Sequence, residues 1–164
     1  MKNLFLLRHA KSSWDNTALT DFDRPLSKRG ISNAILLSQY IQKHCISFDL
    51  VLSSPSERTQ STLDLVLSYF DPIPITTLKE SIYHASASTL TQLIKQQDDE
   101  INNLLIIGHN PGLHVLAESL TNESIIKFPT CAFAKITYFN HWKDIDTGIL
   151  NLESLITPKE LKHD

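Results

Sequence analysis

Three short, uninterrupted apolar runs constrain the fold more than any other feature of this 164-residue chain. They are Leu4–Leu7, Leu50–Leu52 and Leu104–Ile107. An apolar run without polar alternation is typical of a strand covered on both faces, as in a parallel sheet between helices. Segments with helical periodicity follow these runs, and they predict helices at Ser27–His44, Ser56–Tyr69, Thr89–Gln97 and Pro111–Leu120.

The last part of the chain has a different pattern. Ala132–Phe139 and Gly148–Ile156 predict two strands, with a turn around Trp142–Thr147 between them. Strand–helix alternation followed by a late hairpin predicts an α/β three-layer sandwich, with a mainly parallel central sheet flanked by helices. We expect a single domain over residues 1–157 and a frayed C-terminal tail over residues 158–164.

Three helix starts carry capping signals. The segment SSPSER predicts a capping box, with Ser54 as N-cap and Glu57 at the third helical position. In HNPGL, Asn110 is the predicted N-cap before Pro111 at the first helical position. Ser27 is the predicted cap of the first helix.

Composition and charge limit the classes of function. The chain is 41% apolar and 20% charged, as is common for soluble globular proteins. A net charge of −3 argues against a generally basic nucleic-acid binder and still permits a local anion site. Cys45 and Cys131 form no CxxC pair and predict no disulfide framework, which favours a reducing compartment. We see no signal peptide or membrane-spanning run, and we expect a cytoplasmic protein.

Polar side chains follow each of the three apolar strands. The first strand ends in Arg8 and His9, the second leads to Arg58 in the next helix, and the third ends before His109. The carboxyl ends of parallel strands share one edge of the sheet, and ligands bind at that edge. We therefore expect two arginines and two histidines to converge there, although each alone is also consistent with a structural or surface role.

The arginine distribution indicates what these residues could bind. The chain has four arginines, including Arg8, Arg24 and Arg58, against eleven lysines. Guanidinium groups hold phosphate through paired donors, which an ammonium group cannot do. Arg58 in the first turn of a helix opposes the helix dipole, an arrangement that an anion between the two would relieve. Together these residues predict a phosphate site.

Four segments resemble the histidine phosphatase superfamily, and most closely its small phosphohistidine phosphatases of the SixA type. They are LLRHAKS, DFDRPLSKRG, SSPSERTQST and IIGHNPGL, in order from Leu4 to about Leu120. The resemblance implies the fold of phosphoglycerate mutase-like proteins. One departure is Ala10, which stands where the superfamily usually has glycine after the catalytic histidine.

The resemblance also implies roles for individual residues. His9 would be the nucleophile that forms a phosphohistidine intermediate. Arg8, Arg58 and His109 would hold the phosphoryl oxygens and stabilise the transition state. Because these groups supply the positive charge, no metal and no other cofactor is implied.

Three further residues have weaker roles by the same resemblance. Arg24 in the DRPLS loop and Lys11 beside the first motif would add substrate contacts. In LKESIYH, Glu80 occupies the place of the acid that protonates the leaving group in larger family members. A surface glutamate explains Glu80 equally well.

Several functions remain open on the sequence alone. A phosphatase of protein phosphohistidine is the main hypothesis, and a phosphatase or mutase of a small phosphomonoester is the first alternative. A non-catalytic phosphate- or phosphoprotein-binding module is an alternative of another class. A metal hydrolase is disfavoured because His109 and His114 have the wrong spacing for one helix face. We expect no nucleic-acid or membrane partner.

Overall fold

The computed structural model describes residues 1–163. Its centre is a six-stranded sheet built from β1 (Lys2–Arg8), β2 (Leu50–Ser53), β3 (Thr76–Leu78), β4 (Asn103–Gly108), β5 (Phe133–Tyr138) and β6 (Asn151–Ile156). The strand order is β3-β2-β4-β1-β5-β6. Pairing is parallel from β3 to β1, and β5 and β6 join as an antiparallel hairpin.

Helices cover both faces of the sheet. They are α1 (Lys28–Lys43), α2 (Glu57–Val66), α3 (Ala87–Lys95), α4 (Gly112–Thr121) and α5 (Pro158–Leu161). Side chains of β1 alternate between two cores: Leu4 and Leu6 pack with α3 and α4, whereas Phe5 and Leu7 pack with α1, α2 and α5. Burial on both faces explains why the run carries no polar residue. The predicted three-layer α/β sandwich is confirmed.

Element boundaries differ from the prediction in several places. Strand β3 was not predicted, because it has only three residues and none of them is buried. The helix predicted at Thr89–Gln97 begins earlier, at Ala87, where the Ser86 side chain caps it by accepting from the Thr89 N–H. The late turn contains a 3₁₀ helix at Trp142–Asp144, and the Trp142 side chain is fully buried.

One predicted helix cap is confirmed and two are wrong. The Ser27 hydroxyl accepts from the Gly30 N–H at 3.0 Å, as expected. Helix α2 begins at Glu57 with Ser56 as its N-cap, so Ser54 heads no capping box. Ser54 lies outside that helix, and its hydroxyl accepts from the Ser56 N–H at 3.4 Å and lies 2.8 Å from Nε2 of His109. Helix α4 begins after Pro111, and the Asn110 amide donates to the Phe128 carbonyl instead of capping.

The segment expected to fray is ordered as far as the structure describes it. Pro158–Leu161 forms a helix whose capping box joins Thr157 and Glu160. Leu161 is buried in the core beside α1, and this apolar contact holds the segment to the domain. Residue 164 of the expected tail lies outside the described residues, and the boundary at residue 157 stays a prediction.

The structure also describes the two cysteines and the length of the helices. Cys45 is an exposed thiol and Cys131 a buried one, and no disulfide joins them. None of the helices within residues 1–163 is long and apolar enough to cross a membrane.

Candidate active site

The ends of three neighbouring strands bring the predicted residues together. Arg8 at the end of β1 pairs with Gly108 at the end of β4, and the His9 N–H donates to the Gly108 carbonyl at 3.1 Å. The rings of His9 and His109 lie with their centroids 5.1 Å apart. Parallel pairing therefore places two histidines from opposite halves of the chain at one edge of the sheet, as predicted.

Hydrogen bonding fixes the tautomer of His9. Its Nδ1 lies 2.8 Å from the Ala10 carbonyl oxygen, which can only accept, so Nδ1 carries the proton. The lone pair is then on Nε2, which accepts from the Arg58 Nε at 3.4 Å. Burial lowers the pKa of His9 to about 4, and the charges of Arg58 and Arg8 act in the same direction. At neutral pH the ring is uncharged, and the unprotonated Nε2 faces the Arg58 guanidinium.

Arg58 lies between the two histidines. Its side chain is almost fully buried, and its Nη2 is 3.4 Å from Nδ1 of His109. The same guanidinium donates to Asp21 twice, to the backbone oxygen at 2.6 Å and to the carboxylate at 3.0 Å. These contacts hold the guanidinium plane in place beside His9.

His109 is held from two sides. Its Nε2 is 2.8 Å from the Ser54 hydroxyl, and its Nδ1 faces the Arg58 guanidinium, which can only donate. Nδ1 therefore accepts and Nε2 donates to Ser54. Burial lowers the pKa of His109 to about 3, and the neighbouring His9 and the charge of Arg58 act in the same direction.

Arg8 has donors without protein acceptors. Its Nη1 donates to the Phe128 carbonyl at 3.1 Å, and its buried Nε has no hydrogen-bond partner among residues 1–163. Burial and the charge of Arg58 lower the pKa of the Arg8 guanidinium. An unpaired buried donor beside a second cation is costly, and an anion bound there would relieve both costs.

These groups surround an open cavity of about 270 Å³. Four of the side chains that line it are cationic, and none of the described lining residues is acidic. The lining residues are Arg8, His9, Lys11, Ser12, Trp14, Arg24, Arg58, His84, His109, Asn110 and Thr130. The cavity thus concentrates positive charge in a chain whose net charge is negative.

The two predicted substrate contacts also line the cavity. Lys11 is exposed. Its backbone packs closely against Gly30 of α1, where a Cβ would lie only 2.1 Å from the Lys11 carbonyl oxygen. Arg24 is buried; it donates to the Ser13 carbonyl at 3.2 Å, and its guanidinium stacks on Trp14 with 3.2 Å to the ring centroid.

Glu80 is placed differently. It begins the 3₁₀ helix Glu80–Ile82, its side chain is exposed, and it is not among the residues that line the cavity. Its role as the general acid stays a prediction.

Comparison with known proteins agrees with this geometry. The sequence model of the histidine phosphatase superfamily, branch 1, matches residues 4–98. The chain belongs to this superfamily. An uncharacterized chloroplast protein of Arabidopsis thaliana is 33% identical over 96% of this chain and 78% of its own length. The phosphohistidine phosphatase SixA of Escherichia coli is 26% identical over 82% of this chain and 84% of its own length.

A solved structure extends the similarity to the whole fold of this chain. A protein of Agrobacterium tumefaciens assigned as a phosphohistidine phosphatase SixA superposes with a TM-score of 0.82 at 26% identity. The superposition covers 96% of this chain and 98% of that protein. The resemblance to SixA-type members stated from the motifs is therefore confirmed.

Sequence reasoning missed Asp21, which organises one side of the site. Its carboxylate accepts hydrogen bonds from Arg58, Arg24 and Tyr83, and it lies 3.4 Å from Nε2 of His84. The hydrogen bond from Tyr83 and the two arginines hold the pKa of Asp21 well below its usual range. The only available signal was its position in the DFDRPLS motif, three residues before Arg24.

Proposed function

We propose that this histidine phosphatase is a metal-independent hydrolase that acts through a covalent phosphohistidine at His9. The observation that carries the proposal is the unprotonated Nε2 of His9 beside Arg58 in a cationic cavity. A nucleophile needs a free lone pair, and the Ala10 carbonyl and burial both keep that lone pair on Nε2.

The proposed reaction has two steps. Nε2 of His9 attacks phosphorus as the bond to the leaving group breaks, and Arg8 and Arg58 donate to the phosphoryl oxygens; His109 can donate to them as well once its Nδ1 carries a proton. Water then attacks the phosphorus of the phosphohistidine, which releases phosphate and restores His9. Four cationic side chains supply the charge stabilisation for both steps. Among residues 1–163 no group of three or more His, Cys, Asp or Glu side chains is arranged to hold a metal ion.

We propose a phosphohistidine side chain of a protein as the substrate. The cavity is open, and the exposed Trp14 stands at its rim, which suits a phosphoryl group presented by another protein. Similarity to the phosphohistidine phosphatase SixA supports the same substrate class. Lys11 and Arg24 would contact the substrate beyond the phosphoryl group. A cytoplasmic location stays a prediction.

The test compares substrates in the presence of EDTA. We expect the full chain to hydrolyse a protein phosphorylated on histidine faster than p-nitrophenyl phosphate or an alkyl phosphate. His9→Ala should lower kcat by at least about 1,000-fold, because it removes the nucleophile. The exposed His163→Ala variant is the matched control and should keep full activity. Rapid quenching should trap phosphate on wild-type protein and none on His9→Ala.

Other outcomes separate the alternatives. Activity on small esters alone would keep the covalent mechanism and change the substrate to a small phosphomonoester. Turnover by folded His9→Ala, or activity that requires an added divalent metal, would contradict the mechanism. A folded wild type that binds phosphate without any turnover would favour the non-catalytic binding module.

A further inference from the structure

His84 lines the cavity and has no role in the mechanism described so far. Its side chain is 59% exposed, so it stands at the mouth rather than among the buried phosphate ligands. Its ring centroid is 5.7 Å from that of His109 and 4.0 Å from that of Tyr83. A phosphoryl group held by the buried residues would direct its leaving group towards this mouth.

The backbone fixes where the His84 ring lies despite its exposure. His84 has φ of 54°, in the left-handed region that residues other than glycine rarely adopt. The next residue, Ala85, packs against the start of α4, where a Cβ at Gly112 would lie 2.1 Å from the Ala85 carbonyl oxygen. This close approach holds the segment against the site, so the ring is anchored at its backbone.

Asp21 orients the same ring. Its Oδ2 is 3.4 Å from Nε2 of His84, and this carboxylate also accepts from Arg58 and Tyr83. With Nε2 facing Asp21, Nδ1 is the nitrogen left for the leaving group. The ionisable groups that face His84 are Asp21, Tyr83 and His109, with Arg58 behind the carboxylate. An imidazole so placed can pass a proton from Nδ1 to the leaving group and take one back at the same nitrogen.

We propose that His84, oriented by Asp21, is the general acid that protonates the leaving group; this inference rests on the proposed function. As Nε2 of His9 bonds to phosphorus, the bond to the leaving atom breaks, and that atom takes the electron pair and the Nδ1 proton of the His84 imidazolium, whose Nε2–H stays directed at Asp21. Neutral His84 then takes a proton from the attacking water as the bond between phosphorus and His9 breaks. Both protons are accounted for, and no further reactant is needed.

This assignment competes directly with Glu80. The family resemblance gives Glu80 the place of the acid, with a surface glutamate as an equal alternative, and its side chain is exposed and does not line the cavity. His84 follows it by four positions and does line the cavity. The two assignments therefore predict opposite results when either residue is replaced and turnover of esters with different leaving groups is compared.

The experiment measures how the loss depends on the leaving group. Nitrophenolate needs no proton to leave, whereas an alkoxide does. His84→Gln should lower kcat/KM for an alkyl phosphate about 100-fold and for p-nitrophenyl phosphate less than about threefold, and Glu80→Gln should show no such difference. His141→Gln is the matched control, because His141 is another exposed histidine paired with an aspartate, Asp99, and it does not line the cavity.

Two further measurements separate proton donation from a structural role. Added imidazole should restore alkyl phosphate turnover by His84→Ala and leave His9→Ala inactive. The second measurement applies if the chain turns over a phosphohistidine protein and neither ester. In that case the wild-type kcat should fall at high pH, where the acid loses its proton, and this fall should be absent in His84→Gln.

Each remaining result would overturn the assignment in a recognisable way. Equal losses on both esters, an unchanged pH profile, or leaving-group dependence in Glu80→Gln alone would show that His84 is not the acid. A wild type that is inactive on every substrate, with no trapped phosphoenzyme, would instead overturn the proposed function and this inference with it.

Discussion

The two ends of strand β1 each carry a cation, Lys2 buried and Arg8 partly buried, and the two cations differ in how far the protein satisfies their donors. At the amino end, Lys2 donates to the Ile101 carbonyl and to the Asn102 side chain, both at 3.1 Å. It also contacts Asp99, and the Trp142 ring lies 5.9 Å from its Nζ. The ammonium of Lys2 therefore has protein partners for its donors.

Arg8, at the carboxyl end, lacks such partners. One bond joins it to the Phe128 carbonyl, its buried Nε has no acceptor within residues 1–163, and Arg58 adds a second positive charge nearby. A cation whose donors are all satisfied stabilises the fold, whereas one left unsatisfied lowers stability and is available to a ligand. This difference indicates that Lys2 stabilises the fold and that Arg8 is available to bind a ligand at the site.

The largest expected effect tests this difference through activity. Arg8→Met should lower kcat/KM by about 10²- to 10³-fold, because it removes donors to the phosphoryl oxygens. It should not lower the free energy of unfolding, since it also removes an unpaired buried donor beside Arg58. Lys2→Met is the matched variant at the other end and should keep activity within about twofold, because surface and core changes distant from a site leave its contacts intact. Steady-state kinetics and urea unfolding of both variants measure this.

One outcome would contradict this prediction. If Lys2→Met lost as much activity as Arg8→Met, the two ends of the strand would not differ in role, and the loss would reflect the fold alone.

Much of this comparison was accessible from the sequence. The uninterrupted apolar residues of β1 and β4 predict strands that are buried on both faces, and parallel pairing then places Arg8, His9 and His109 at one edge. These inferences need only periodicity and strand direction. For that reason the fold class and the meeting of the histidines were predictable.

Contacts between irregular segments were not predictable. Asp21 and Tyr83 are 62 positions apart. Asp21 begins a 3₁₀ turn at Asp21–Asp23, Tyr83 follows the 3₁₀ turn at Glu80–Ile82, and no repeat or spacing in the sequence relates the two turns. His84 is placed at the cavity by its own left-handed backbone conformation and by the close approach of Ala85 to the start of α4. Neither feature produces a periodic pattern in the sequence. Ser54 is a third example of a contact that the sequence does not reveal. The capping pattern predicts that its hydroxyl caps the helix, whereas in the structure the hydroxyl contacts His109, 55 positions away.

The pH dependence of stability gives the next largest effect. Burial lowers the pKa of His9 to about 4, below the value of about 6.5 expected in the unfolded chain. Between these values the unfolded state binds the proton and the folded state does not. Stability is therefore complete above pH 6.5 and decreases as the pH falls towards 4.

Urea unfolding at pH 8 and pH 5 measures this contribution. The wild type should lose about 2 kcal/mol more than His9→Ala over that interval, because only the wild type carries the buried neutral imidazole. Lys2→Met should keep the wild-type slope, since His9 is unchanged in that variant. Equal slopes for the wild type and His9→Ala would mean that His9 titrates normally, and the argument for its free lone pair would lose its electrostatic support.

The smallest expected effect concerns the stability supplied by Lys2. Lys2→Met should lower the free energy of unfolding by about 1 kcal/mol, because it leaves the Asn102 side chain without its donor and removes one of the two donors to the Ile101 carbonyl, which keeps the bond from Trp142 Nε1. Urea unfolding at pH 8, where the His9 contribution is constant, measures it against Arg8→Met, for which no loss is expected. The opposite pattern, with Arg8→Met destabilised and Lys2→Met neutral, would reverse the comparison: the satisfied cation would then add nothing to the fold, and Arg8 would be held by the protein rather than kept for an anion.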